Sequence, residues 1–278
     1  MICGKQFQLR YKKNKLKQKL WLNYVWSRQT VSQLALGYRK SEKWIRLQLA
    51  SAIIKTVAVS PQPLVFIADA TFFKRTFGIL VFRSQKLKKN VYWKEVKSET
   101  IQEYRDARNL LESRGFKFLA IVLDGKPGAR KVFSDIPVQM CQFHQIAIVN
   151  RYLTTRPRLE ASIELREIVL KLSKTDEESF EGWLDEWYEK WKDFLKEKTI
   201  DPKTGKWHYT HKRLRAAYRS LKTNLPYLFT YQKYPELDIP NTTNGLESSF
   251  SHLKDLVRIH RGISKELKLK IIDEILGK

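Results

Sequence analysis

Apolar positions along this chain follow two patterns, and the switch between them divides it. Leu64-Val65-Phe66-Ile67-Ala68 follows Pro61 and Pro63 and ends at Asp69, and Phe118-Leu119-Ala120-Ile121-Val122-Leu123 ends at Asp124. Short apolar runs of this kind read as strands buried on both faces, each delivering an aspartate at its C-terminal end. Thr76 to Ser84, carrying Phe77, Ile79 and Val81, and Val91 to Val96 read as two more strands, separated by Gln85-Lys86-Leu87-Lys88-Lys89-Asn90. Turn-length links between neighbouring strands predict an antiparallel meander. Thr100 to Arg114 instead places Ile101, Tyr104, Ala107, Leu110 and Leu111 on one helical stripe, with Gly115 as its stop. Gly125-Lys126-Pro127-Gly128 leads into a short helix, and Val138 to Cys141 reads as a fifth strand. The predicted order is β-β-β-α-β-α-β, an α/β domain with a mixed sheet flanked by helices.

Helical spacing dominates on both sides. Leu16, Leu20 and Tyr24 recur at helical intervals; Thr30 to Leu36 is a short helix ending at Gly37; Ser41-x-x-Trp44-Ile45-x-x-Gln48-Leu49 is a Ser-capped longer one. Residues 15–60 therefore predict a helix-turn-helix, whose second helix would present Lys40, Lys43 and Arg46 to phosphates or base edges. Residues 151–240 read as an all-α insertion between two parts of the sheet domain, 61–150 and 241–278. Within it Trp183, Trp187 and Trp191 lie at i, i+4 and i+8, a stripe read as core ahead of a platform for unpaired bases. Asp201 to Lys206 reads as an exposed loop, and Lys212, Arg213, Arg215 and Arg219 as a basic helix. Further on, Leu246, Phe250, Leu253 and Val257 form a buried stripe, and Glu247, Ser251, Lys254 and Arg258 share the neighbouring face. Lys254 and Arg258 are candidate phosphate clamps, whereas Asn244 with Glu247 three residues on is also a capping-box pattern. His252 and His260 are expected at the surface or in contact with phosphates.

Charge sharpens this picture. The 278 residues carry a net charge of +24, and residues 1–60 hold thirteen Lys and Arg against one acid, Glu42, so a polyanion is the expected partner. No apolar run approaches the length of a membrane span and no signal-like start is present, so neither membrane insertion nor secretion is expected. Two cysteines leave little scope for disulfides and fit a reducing cytoplasm. Cys3-Gly4-Lys5-Gln6-Phe7 looks like the closing knuckle of a zinc ribbon with one ligand of the four it needs, so residues 1–14 are read as a ribbon remnant.

Carboxylates at the ends of core strands are costly unless paired or holding a cation. In chain order the acids are Asp69, Asp124 and, behind the helical insertion, Glu247. With Asp69-Ala70-Thr71-Phe72, Asp124-Gly125, the Cys-x2-His element Cys141 to His144, and Asn244-x-x-Glu247 leading to Leu253-Lys254, the chain resembles the ribonuclease-H-like DDE transposases. In detail it resembles the Mutator-like transposases and their bacterial insertion-sequence relatives, over about residues 60–260. The resemblance implies a ribonuclease-H-like catalytic domain with an all-α insertion, preceded by a helix-turn-helix that binds element ends. It implies metal-dependent DNA cleavage and strand transfer with two Mg²⁺ or Mn²⁺ ions, Asp69 bridging both, Asp124 holding one and Glu247 the other. Water would free a 3′-hydroxyl at the element end, and that hydroxyl would attack target DNA. Cys141 and His144 belong to the family signature. Double-stranded DNA, as element ends and target, is the implied partner, a homodimer the implied assembly, and the cytoplasm, at the nucleoid, the implied location. Two competing expectations are a decayed or domesticated copy that binds DNA without catalysis, and a structure-selective nuclease.

Overall fold

The structure, a computed structural model, describes residues 5–54, 56–74 and 76–278, with side chains from residue 15 onward except that of residue 127. Cys3 and Gly4 of the ribbon-like knuckle lie outside the described residues. By internal contacts the chain forms two compact units, Met1–Val59 with Glu247–Lys278, and Ser60–Leu246.

The first unit begins with α1 (Lys5–Val25), α2 (Val31–Tyr38) and α3 (Glu42–Ala50). Thr30 starts α2 with a capping box: its hydroxyl accepts from the Gln33 N–H, and the Gln33 side chain accepts from the Thr30 N–H at 2.8 Å. Ser41 caps α3 by accepting from the Trp44 N–H at 3.2 Å. Leu34, Ile45 and Leu49 pack inward with Leu20, Trp21, Tyr24 and Val25 of α1, all buried. The short helix does not stop at Gly37. It runs on to Tyr38, whose hydroxyl accepts from the Asn23 side chain of α1 at 3.3 Å, and Arg39 takes the left-handed C-cap at φ +50°.

The second unit opens with β1 (Pro63–Phe73), β2 (Phe77–Ser84) and β3 (Lys89–Val96), followed by α4 (Ile101–Ser113), β4 (Lys117–Leu123), α5 (Pro127–Val132) and β5 (Val138–Met140). This is the β-β-β-α-β-α-β order read from the sequence. The sheet order is β3-β2-β1-β4-β5, with β2 antiparallel to both its neighbours and the β1–β4 and β4–β5 pairs parallel, which is the ribonuclease-H-like arrangement. Thr100 caps α4 by accepting from the Glu103 N–H at 3.3 Å, and Tyr104, Ala107 and Leu111 are its buried stripe.

Helices α6 (Gln142–Leu153), α7 (Glu160–Leu170), α8 (Glu177–Lys196), α9 (Lys212–Leu228) and α10 (Thr230–Lys233) complete this unit. Between α8 and α9, β6 (Lys198–Ile200) and β7 (Trp207–Tyr209) form a hairpin around the loop anticipated at Asp201 to Lys206. The tryptophan stripe is core: Trp187 is buried, stacks on Tyr218 and donates to the Ala161 carbonyl at 2.9 Å, while Trp183 and Trp191 pack against the same cluster. Buried amides fasten α9 and α10 to the sheet side. Gln139 and Gln142 both donate to the Leu228 carbonyl, at 2.9 and 3.0 Å, and Arg130 on α5 donates to Asn224 at 2.7 Å. Each satisfies a polar group that would otherwise be stranded in the interior.

Helix α11 (Asn244–Ile259) then leads into α12 (Lys265–Leu276), which belongs to the first unit. Leu246, Phe250, Leu253 and Val257 are buried, as their spacing requires. Glu274 of α12 is buried and accepts from the indole N–H groups of Trp21 and Trp26, both at 3.0 Å. Lys270 donates to the Leu49 and Ala50 carbonyls at the end of α3, at 3.2 and 2.7 Å. His260 is not at the surface but buried, its ring centroid 3.9 Å from that of Tyr24. His252 is exposed, and no helix among the described residues is long and apolar enough to cross a membrane.

Candidate active site

Parallel pairing of β1 with β4 ends at Ile67 opposite Val122. Asp69 and Asp124 stand two residues beyond those partners, on adjacent strands at the same end of the sheet. The sequence expectation that β1 ends at Asp69 is corrected: β2 continues to pair with it as far as Phe73, so Asp69 sits inside a strand, opposite Val81. Backbone pairing on one side therefore fixes Asp69, while the other side has lost its neighbour strand.

Asp69 is buried, and the Ala70 N–H donates to its Oδ1 at 2.7 Å. Burial first, and the charge of Asp124 second, push its carboxyl up to about 7, with Glu99 adding to the effect and His144 opposing it. Asp124 is half-buried and accepts from the Lys126 N–H at 3.1 Å. The chain turns there through Gly125 at φ +104°, where a side chain would also run into the Met140 methyl. A residue with a Cβ is strained in that conformation, so the glycine is what lets the aspartate lead directly into α5.

Glu99 was not anticipated. It accepts from the Tyr104 hydroxyl at 2.8 Å and lies 3.7 Å from the Lys126 ammonium, which also donates to the Glu99 carbonyl. Burial and then Asp124 raise its carboxyl above the ordinary range, and burial with Glu99 pushes the Tyr104 hydroxyl well above its own. In the sequence Glu99 adjoins the Thr100 cap and reads as a helix-start charge. Only folding brings it to Lys126, 27 residues on.

Cys141 and His144 meet where β5 passes into α6. Cys141 donates its N–H to the Leu123 carbonyl at 2.8 Å, and its Sγ accepts from the N–H and hydroxyl of Thr243, both at 3.3 Å. Burial pushes the thiol up, but hydrogen bonds with His144 and Thr243 outweigh it and leave the thiol below its usual range. His144 Nδ1 is 3.5 Å from the Thr243 hydroxyl. Gln142 and Asn241 exchange two hydrogen bonds, at 2.9 and 3.0 Å. The signature pair thus anchors the segment 241–243, just ahead of α11, to the start of α6.

The second unit therefore holds Asp69, Asp124, Cys141 and His144, joined by Glu99. Glu247, half-buried in the first turn of α11, belongs to the first unit, as do Lys254 and Arg258, both exposed on the same helix. Arg258 is 3.2 Å from Asp255. Lys40 lies in the turn ahead of α3, Lys43 and Arg46 on α3, all exposed, and Arg46 pairs with Glu42 at 2.7 Å. The oxygen-only pair Asp69 and Asp124 suits a hard divalent cation, because the electrostatic penalty that raises Asp69 becomes an attraction when a cation stands between the two.

No family model matches the chain, and no curated protein does. Among solved structures it is similar to the Drosophila P element transposase strand transfer complex, at 11% identity over 96% of this chain and 92% of that chain, with a TM-score of 0.44. It is also similar to a chain in the cryoEM structure of the simian T-cell lymphotropic virus intasome in complex with PP2A regulatory subunit B56 gamma. That match is at 10% identity over 75% of this chain and 68% of the other, with a TM-score of 0.23.

Proposed function

We propose that this chain is a DDE transposase of the Mutator-like and bacterial insertion-sequence kind, with Asp69, Asp124 and Glu247 as its catalytic carboxylates. The observation that carries the reading is the pair of aspartates on adjacent parallel strands of a ribonuclease-H-like sheet, one of them lifted to about 7 by its burial and then by the other's charge. The reaction is cleavage at insertion-sequence ends followed by transfer of the freed 3′-hydroxyl into target DNA. Two Mg²⁺ or Mn²⁺ ions, when bound, supply charge stabilisation at the attacking and leaving oxygens. The chain's own groups prepare for this: Asp69 is an unstable lone anion and therefore a strong cation ligand, and Asp124 is aimed by the Gly125 turn. Glu99 and Tyr104 fix Lys126 beside that turn, where its ammonium offers charge to a scissile phosphate.

In this reading the α2–α3 helix-turn-helix grips element ends through Lys40, Lys43 and Arg46, and Lys254 and Arg258 clamp phosphates. The working form is a homodimer that pairs two DNA ends in the cytoplasm, at the nucleoid. The test is joining of a labelled, pre-cut end duplex, taken from DNA flanking the gene, into a supercoiled plasmid with Mg²⁺ or Mn²⁺. Wild type is compared with Asp69→Asn, Asp124→Asn and Glu247→Gln. Metal-dependent joining by wild type alone is the expected result. Binding without joining by any variant would assign the chain to a decayed or domesticated DNA-binding copy, and cleavage without joining to a nuclease.

A further inference from the structure

The helical part of the second unit carries a groove that the proposed active site does not use. It opens between the end of α6, the loop 154–159 and the start of α9, with a volume of about 560 Å³, and is lined by Arg156, Arg158, Lys212 and Arg213 with no acid among its lining residues. All four cations are exposed, and none makes an ion pair with another described residue. This contrasts with the lysines of α8 and α9 nearby. Lys190, Lys192, Lys196 and Lys222 are each matched to a carboxylate, at 2.6, 2.6, 3.0 and 2.8 Å. The groove's own histidine, His211, is already bonded to Glu197 at 2.9 Å. Arg215 and Arg219, further along α9, also make no ion pair among the described residues, so the groove is one end of a positively charged stretch, and its own lining holds no acid.

We infer that this groove binds the sugar-phosphate backbone of double-stranded DNA, independently of sequence, as a second grip on the duplex apart from the helix-turn-helix. Exposed, solvated cations bind a single small anion weakly, whereas on a polyanion each releases condensed counterions and their effects add. The inference rests on the reading of the chain as a DNA-acting protein, and it gives the helical part a role: holding the duplex along its length while an end is processed. The contact inferred is to phosphates, so it positions DNA without selecting it.

The test is the salt dependence of binding to a short labelled duplex of arbitrary sequence. Wild type is compared with a groove variant, Arg156→Gln, Arg158→Gln, Lys212→Gln and Arg213→Gln together. A control loses the same charge from the matched lysines: Lys190→Gln, Lys192→Gln, Lys196→Gln and Lys222→Gln. Thermal melts of the groove variant check that it folds, as expected for exposed groups without partners. The expected result is a slope of log affinity against log salt about 3 units shallower for the groove variant, with at least about tenfold weaker binding at physiological salt, and a control close to wild type. An unchanged slope, or an equal fall in both variants, would overturn the inference. Because the readout is binding alone, a wild type that shows the groove-specific slope but joins no ends would support the groove while overturning the transposase reading.

Discussion

Asp124 keeps Asp69 from being a comfortable anion: after burial, its charge is the largest influence lifting the Asp69 carboxyl to about 7. The consequence is a pH-dependent penalty. An unfolded aspartate titrates near 3.8, so between roughly pH 4 and 7 the folded chain binds a proton that the unfolded chain has released, and stability falls as pH rises through that window. The shift corresponds to at most about 4 kcal/mol. Asp69→Asn removes the titration, so the metal-free variant is expected to outlast wild type in denaturant at pH 8 by up to that amount, with the two converging near pH 4. Mg²⁺ is expected to stabilise wild type at pH 8 and leave the variant unmoved. Equal midpoints at pH 8 without metal would contradict this account.

Glu99 and Tyr104 give a second expectation at the same end of the sheet. Removing the hydroxyl with Tyr104→Phe leaves a half-buried carboxylate without its neutral donor, at about 1–2 kcal/mol. The Glu99 pKa should then rise further, since that hydrogen bond is among the influences holding it down. Carboxyl NMR titration reads the pKa and denaturant unfolding the energy. If Glu99 only filled space, neither would change.

The cap at the end of α2 offers a test in the opposite direction. Arg39 sits at φ +50°, a conformation glycine adopts without penalty, while Gly37 lies within the helix with nothing within 4 Å of a Cβ built on it. Arg39→Gly and Gly37→Ala are each expected to stabilise the chain by about 0.5–1 kcal/mol. Destabilisation by Gly37→Ala would show that the glycine is needed where it stands.

What the sequence could reveal tracks the range of the interaction responsible. All five core strands and α4 were legible because buried runs and helical stripes are local signals. The stop of α2 was misplaced because Gly37 is a strong turn residue, and the Asn23 to Tyr38 hydrogen bond that carries the helix past it comes from another helix. The continuation of β1 through Phe72 and Phe73 was written in apolar residues but overshadowed by the aspartate. The β6–β7 hairpin was also written locally, in Lys198-Thr199-Ile200 and Trp207-His208-Tyr209 around a Pro- and Gly-bearing loop, and was lost against a charged helical background. Glu99 and Glu274 were invisible, since each has meaning only through partners the fold brings in.

Glu274 makes that last point testable. It is a buried carboxylate that accepts from two indoles and lies 3.2 Å from Lys278. Glu274→Ala strands both indole N–H groups in the interior, and about 3 kcal/mol of stability should be lost. The change touches neither α2 nor α3, yet the packing they share with α1 depends on it. Loss of end-specific DNA binding at a temperature where the Asp69 carboxyl still titrates normally is the expected outcome; binding and stability both unchanged would detach α12 from the integrity of the N-terminal helices.

Gly125 separates backbone strain from steric crowding beside Asp124. Gly125→Ala faces two obstacles, a φ of +104° and the Met140 methyl in the path of the new Cβ. The methyl ends a flexible side chain and can move aside, whereas the dihedral is fixed by the passage from β4 into α5, so the strain of about 2–3 kcal/mol should dominate. The variant is therefore expected to unfold at lower denaturant and to lose metal-dependent joining, because relief of the strain swings the Asp124 carboxylate away from Asp69. Binding to element ends, which the proposed function gives to α2 and α3, should persist. Adding Met140→Ala makes room for the methyl without touching the dihedral, so it should restore nothing; recovery of joining in that double variant would mean that crowding, and not backbone conformation, is what the glycine avoids.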